Sequence, residues 1–268
     1  MKSTLCIYKT FLNILLSLLF ISSCAHAYES SEKAVYKVTA VYPHDRNSQT
    51  EGLIYHDKIL YEGTGPCLDG PSSIRKIDLE TGKILKYMSL TPPIFGEGIT
   101  IYRGMIIQLT YKLKTGYVYS LKTFRRKKVF KYDTEGWGLT HDGEHLIMSD
   151  GSPALRFLDP KTFTVVKKIN VHNDRKNIHQ INELEFINGK IYANVFLTDQ
   201  ILIISPDTGE VLETIYLTDI LKGYYRPGYN DPANGIAYDA ENNSILITGK
   251  YWPNIYRISL PEKECNLK

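Results

Sequence analysis

Cysteine is scarce: there are four in 268 residues, and two of them, Cys6 and Cys24, fall in the first 27. The other two, Cys67 and Cys265, are too few for a disulfide-stapled scaffold, and whether they pair in an oxidising compartment stays open. No CxxC, HExxH, HxH or DxDxDG pattern occurs, and the seven His are scattered, which argues against a catalytic zinc site or a calcium loop. Neither a metal nor another cofactor is expected. Charge of one sign is also lacking. Thirty-two Lys and Arg against 29 Asp and Glu give +3, of which Lys2 and Lys9 supply two, so no nucleic-acid partner is indicated. Long apolar runs are missing except for Phe11 to Ile21, which is too short to span a bilayer comfortably.

That run follows a basic start and precedes small residues ending in Ala25-His26-Ala27, the layout of a secretory signal. Two cleavage sites compete. One lies after Ala27; the other lies before Cys24, where Ile21-Ser22-Ser23-Cys24 resembles a weak bacterial lipobox and would anchor the chain through a lipid. Residues 1–27 are therefore read as a signal and 28–268 as one domain. The protein is expected outside the cytoplasm, periplasmic, secreted or lipid-anchored, with a monomer favoured. A hydrophobic content of 43%, twenty Tyr, and Gly and Pro spread along the chain favour many short strands over long helices.

Internal repetition gives the architecture. Apolar strands starting at Ile74, Val118, Leu155, Ile201 and Ile255 each run into a polar hairpin turn. Asp78, Ser120, Asp159, Ser205 and Ser259 hold equivalent places, so the steps are 42, 39, 46 and 54 residues, the length of a four-stranded propeller blade. The long last step is explained by an inserted loop, Leu221 to Pro232, expected to lie on one face as a lid. The pattern predicts an all-β, five-bladed propeller with a central channel. It is closed by pairing a strand from the region Val35 to Val41 with the blade that ends at Leu260.

A second series precedes the first: Glu51, Glu97, Trp137, Asn182 and Asn234 each open a short strand. Rotation about a fivefold axis maps these positions onto a ring. Such polar groups are costly in a dry core without partners but inexpensive at a solvated channel mouth, so the ring marks the candidate ligand site. For any single repeat an acidic residue before Gly also reads as a mere turn device. The basic stretch Lys122 to Lys131 alternates with Phe124, Val129 and Phe130 and reads as an outer edge strand guarded by charge.

Several stretches resemble signatures of the plant and bacterial glutamine cyclotransferases, in the family's order and over nearly the whole of 28–268. They include Tyr42-Pro-His-Asp45, Phe95-Gly-Glu-Gly-Ile-Thr100, Gln108-Leu-Thr110, Glu135-Gly-Trp-Gly-Leu-Thr140 and Ser149-Asp-Gly151. Asn182-Glu-Leu-Glu185, Tyr192-Ala-Asn-Val195, Asn234-Gly-Ile-Ala237 and Thr248-Gly-Lys-Tyr-Trp-Pro253 continue the series. The resemblance implies a five-bladed propeller that converts N-terminal Gln of peptides or proteins to pyroglutamate with release of ammonia. It implies Glu97 as the proton-transfer residue, Trp137 and Asn182 in the pocket, Lys250 at its rim and Phe95 as an apolar wall. The chain departs from the family's usual residues at Glu51, often Gln, and at Tyr111 and Phe196, both often Trp; Gln49 stands near a usual aromatic. These departures bear on substrate range and turnover.

Cyclisation requires the free α-amine to attack the γ-carboxamide carbon, a proton to leave the amine and another to reach the departing ammonia. A carboxylate such as Glu97 can accept the first and return it, if its pKa lies near the working pH. The oxyanion needs a fixed donor, for which Asn182 and Lys250 are the candidates. Glu51 is expected to hold the protonated amine, Asn234 to contact the substrate from the last ring position, and Trp137, Tyr111 and Phe196 to pack the side chain in a bent, near-attack shape. Two other readings stand beside this one. The same ring would serve a non-catalytic peptide- or sugar-binding propeller, whereas a propeller lactonase needs more oxygen or imidazole ligands than the ring offers.

Overall fold

The hairpin turns that set the repeat do so by one device used four times. Asp78, Ser120, Asp159 and Ser205 each accept, through the carbonyl, the amide of the residue four positions on, at 2.7 to 2.9 Å. Their side chains hold the turn from inside: Asp78 accepts the Thr81 amide at 2.9 Å, and Ser120, Asp159 and Ser205 accept those of Thr123, Thr162 and Thr208. The closing residue must enter the left-handed region, as Gly82 (φ 69°) and Gly209 (φ 84°) do readily. Phe124 and Phe163 do so as well, at φ 61° and 62°. Their rings are buried, and each is covered by a lysine of the preceding blade, Lys86 and Lys128, at 4.6 Å.

The structure, a computed structural model, describes residues 32–66, 70–91, 93–174, 176–221 and 231–261. The signal segment with Cys24, both Cys67 and Cys265, and most of the expected lid, residues 222–230, lie outside the described residues. Among those described, five sheets of four or five strands follow one another, with a two-stranded sheet between the third and the fourth. The first two strands, β1 (Glu32–Ala34) and β2 (Lys37–Pro43), belong to later blades. Blade one is β3 (Thr50–His56), β4 (Ile59–Thr64), β5 (Ser73–Ile77) and β6 (Ile84–Ser89). Blade two is β7 (Gly96–Tyr102), β8 (Met105–Thr110), β9 (Thr115–Ser120) and β10 (Arg126–Lys131). Blade three is β11 (Leu139–His141), β12 (Leu146–Met148), β13 (Ala154–Leu158) and β14 (Val165–Asn170).

A two-stranded hairpin, β15 (His172–Asn173) and β16 (Lys176–Asn177), leads into blade four, which is β17 (Ile181–Ile187), β18 (Lys190–Val195), β19 (Gln200–Ile204) and β20 (Val211–Tyr216). One helical turn, α1 (Thr218–Leu221), follows. Blade five is β21 (Ala233–Asp239), β22 (Ser244–Gly249) and β23 (Asn254–Ser259), completed by β2. The predicted five-bladed all-β propeller is thus observed. The expected closure is present too, with Lys37 opposite Ser259 and Pro43 opposite Asn254. The parallel pairing of β1 with β20, which makes blade four five-stranded, was not foreseen. Residues 32–43 therefore fasten two neighbouring blades.

Both faces of each inner sheet are buried, so the strands read as apolar runs and not as strict alternation. Neighbouring residues serve different interfaces. Ile106 packs with Ile54, Tyr61 and Ile74 of blade one, whereas Ile107 packs with Leu139, Leu146 and Met148 of blade three. Five such apolar clusters fill the five gaps between blades. On the rim, Lys86, Lys128 and Lys167 donate to Lys122 O, Lys161 O and Pro206 O of the following blade at 2.7 to 2.9 Å. The basic stretch is the edge strand of blade two, and one of its lysines is an inter-blade clasp.

The five innermost strands adjoin one another around the axis, which explains the glycine after the ring residue. A Cβ on Gly98 would lie 2.4 Å from Trp137 O, and one on Gly138 would lie 2.0 Å from Asn182 O. Glu183 stands where other blades have this glycine. Its carboxyl accepts the amides of Leu53 at 3.2 Å and Ile236 at 2.9 Å, tying blade four to blades one and five across the axis. Burial pushes its pKa well up, with Glu185 adding to the effect.

Candidate active site

Each ring residue on a full inner strand sits in a β-bulge. Thr50 pairs with Thr64 and Gly52 with Gly63, which leaves Glu51 unopposed. Similar shifts fall between Gly96 and Ile99, Ile181 and Leu184, and Ala233 and Ile236. A bulge turns a side chain out of the pleat, here toward the end of the channel. The result is a cavity of about 210 Å³ lined by Glu51, Glu97, Asn182, Lys250 and Gln49 together with four aromatic rings.

Those rings form a continuous wall. Phe95 lies 5.6 Å from Tyr111, Tyr111 lies 6.5 Å from Trp137, and Trp137 meets Phe196 edge-on at 5.8 Å. The Trp137 indole donates to Glu135 at 3.1 Å, so its N–H is already engaged. Asn182 is 3% exposed and its carboxamide makes no hydrogen bond to the described residues, which leaves its donors facing the cavity. Ser149 fixes its backbone, donating to Asn182 O and accepting from Gly138 N, both at 2.7 Å.

Lys250, expected at the rim and outside the five ring positions, sits on the chain just past β22, and its ammonium reaches both oxygens of Glu51 at 2.7 Å. The length of the side chain, which sequence position does not reveal, carries it inward. One ammonium N–H remains, and the Phe196 ring lies 5.3 Å away. Glu51, expected to hold the substrate amine, is occupied by this pairing. Asn234, expected to touch substrate, does not line the cavity. It is fully buried behind Glu51, donating to Thr50 O at 2.8 Å and to Glu51 at 3.3 Å.

The two ring carboxyls, Glu51 and Glu97, line the same cavity and act on each other electrostatically. Burial raises the pKa of Glu97 well above the ordinary carboxyl range, and the Glu51 charge raises it further, against the pull of Lys250. Burial raises that of Glu51 as well, opposed by Lys250. Among the described residues, no three His, Cys, Asp or Glu side chains converge as a metal-ligand set.

The Tyr42-Pro-His-Asp45 stretch anchors the loop that carries Gln49 and Glu51. His44 faces Trp252 O at 2.7 Å through Nδ1 and Glu62 at 3.0 Å through Nε2. Both partners are acceptors, so the ring holds both protons. Burial opposes that charge, but Glu62 overcomes it and the His44 pKa is raised. Glu62 also accepts from Ser48 and Thr50 and lies 3.7 Å from Arg75. Burial would raise its pKa, yet His44 and Arg75 bring it down to about 2. Sequence reasoning missed Glu62, Glu135 and Glu183. Glu135 and Glu183 lay inside recognised motifs, but the ring argument attended to one position per blade.

A family model described as glutamine cyclotransferase matches residues 12–260. A glutaminyl-peptide cyclotransferase of Arabidopsis thaliana is 38% identical over 230 residues, covering 84% of this chain and 71% of its own length. The crystal structure of Myxococcus xanthus glutaminyl cyclase superposes with a TM-score of 0.79 at 31% identity, covering 86% of this chain and 98% of that one.

Proposed function

The chain belongs to the glutamine cyclotransferase family, and we propose that it closes the N-terminal Gln of peptides or proteins into pyroglutamate, releasing ammonia, within the ring of Glu51, Glu97, Asn182 and Lys250. The observation that carries the site assignment is the buried Glu97 carboxyl, its pKa raised by burial and by the Glu51 charge, beside free donors in a cavity of about 210 Å³. That volume is below the roughly 300–1,000 Å³ of drug-sized pockets and suits a single terminal residue.

The aromatic wall of Phe95, Tyr111, Trp137 and Phe196 folds the flat carboxamide back toward the amine, which converts an encounter into a near-attack conformer. Asn182 and the remaining N–H of Lys250 face the amide oxygen, where charge develops as the amine adds. Glu97 transfers the proton that leaves with ammonia. A ring carboxylate already paired with an ammonium offers a divalent ion little room, so turnover is expected to persist in excess chelator. The basic start and apolar run of the first 27 residues support export, which N-terminal sequencing of the mature protein checks together with the choice between Ala27 and Cys24.

A coupled assay of ammonia released from a Gln-peptide tests the reading. Glu97→Gln keeps the shape but cannot carry a proton, so kcat should fall by about a hundredfold or more with KM little changed. Near-normal turnover in that variant would end the role assigned to Glu97 while leaving the enzyme class standing.

A further inference from the structure

Glu51 is one of the chain's departures from its family, and its surroundings give it work. Two buried carboxyls lining one cavity with a single ammonium between them favour one shared proton over two adjacent negative charges. Lys250 settles which of the two carries it. Its ammonium donates to both Glu51 oxygens at 2.7 Å, and Asn234 donates to the same carboxylate at 3.3 Å, so Glu51 is the anion and Glu97 the donor.

We propose that Glu51 and Glu97 act as a divided acid–base pair, with Glu51 taking the proton of the attacking amine and Glu97 giving its own to the departing ammonia. This rests on the cyclotransferase reading of the site. As the amine nitrogen bonds to the γ-carbon, one of its N–H protons passes to the Glu51 carboxylate. As the old C–N bond breaks, the Glu97 proton passes to the leaving nitrogen, and ammonia departs. The proton on Glu51 then returns to Glu97 across the cavity that both line, so the pair ends as it began and no co-reactant is consumed. Two carboxyls held at different affinities by their surroundings are the usual means of separating acid from base.

The groups that act on Glu97 are Glu51 from β3, Lys250 from the end of β22, Glu135 ahead of β11 and the Tyr132 hydroxyl beyond β10. Burial and the Glu51 charge keep it protonated against Lys250. The divided pair is active with Glu97 protonated, so kcat should fall as pH rises through the Glu97 pKa. A lone shuttling Glu97 would start ionised and give the opposite, rising limb.

The test is the pH profile of kcat for wild type and Glu51→Gln on one Gln-peptide, at two temperatures. Wild type should show the falling limb with the near-zero heat of a carboxyl ionisation, unlike that of the Lys250 ammonium. Glu51→Gln should lose that limb, gain a rising one at lower pH and turn over about tenfold more slowly at its optimum. Absence of the falling limb from wild type, or its persistence in Glu51→Gln, overturns the proposal. The wild-type profile decides alone if the variant does not fold. An active Glu97→Gln also overturns it, whereas absence of ammonia release by the wild type removes the reading beneath it.

Discussion

Glu62→Gln removes the anion on which the loop before Glu51 is built. Glu62 is fully buried, and a carboxyl brought from an ordinary 4.5 to about 2 represents about 3 kcal/mol of folding free energy. That agrees with the roughly 3–5 kcal/mol lost when one partner of a buried pair is removed. Its sign follows from the lowered pKa. The contribution is complete above the ordinary carboxyl pKa and vanishes as pH falls through about 2. His44 adds the opposite limb: its raised pKa gives stability that is complete below the ordinary histidine value and is lost as pH rises through the folded one. The difference between wild type and Glu62→Gln should therefore be bell-shaped in pH. At its top it is about 3 kcal/mol, or about 6–12 °C in Tm for a domain of this size. Urea denaturation from pH 2 to 9 measures it. A difference below about 1 kcal/mol at pH 6, or one that does not shrink on acidification, would refute the assignment of His44 as the buried cation.

Gly138→Ala would force a methyl to within 2.0 Å of Asn182 O; a loss of about 3 kcal/mol is expected, with turnover falling as Asn182 is displaced, and unchanged melting and activity would contradict the close approach. Removing residues through Pro43 deletes β1 and β2, so the purified protein should show no cooperative unfolding transition by calorimetry, and a stable truncation would count against closure. Burial lifts Glu185 to about 8, a preference for the proton that is complete below the ordinary carboxyl pKa and lost as pH climbs through the folded one. Glu185→Gln should therefore gain on wild type by about 2 kcal/mol or more near pH 9 and lose that advantage near pH 4; a pH-independent difference would rule this out.

The blades were legible because the hairpin device needs the same residue types at each turn and because both faces of every inner strand are apolar. The ring was legible because rotation carries Glu51 to Glu97 to Asn182. Four things were not. β1 is three residues long and pairs in parallel with β20, a contact with no local signature. Lys250 lies in another sequence layer and enters the ring by side-chain reach, while Asn234, at a ring position, turns to serve Glu51. His44 and Glu62 belong to different strands, and pairing across a register is invisible when each is read alone. Glu183 breaks the glycine pattern, and only the axial geometry shows two amides waiting for its carboxyl.

The strand Lys37–Pro43, among the first parts of the propeller to be made, finds its partner only near the far end of the chain. Its partners begin with Ser259, more than two hundred residues away, whereas every other strand of blades one, two and three pairs with a neighbour in sequence. Folding can build those blades from local hairpins while the ring stands open, leaving the two long-range pairings of residues 32–43, β1 with β20 and β2 with β23, whose entropic cost grows only with the logarithm of the intervening length. A chain halted before Asn254 would carry most of its sheets and still hold Lys250 loosely against Glu51. Secondary structure should therefore accumulate gradually during refolding, while the ability to cyclise a peptide should arrive late, with the final strand pairing.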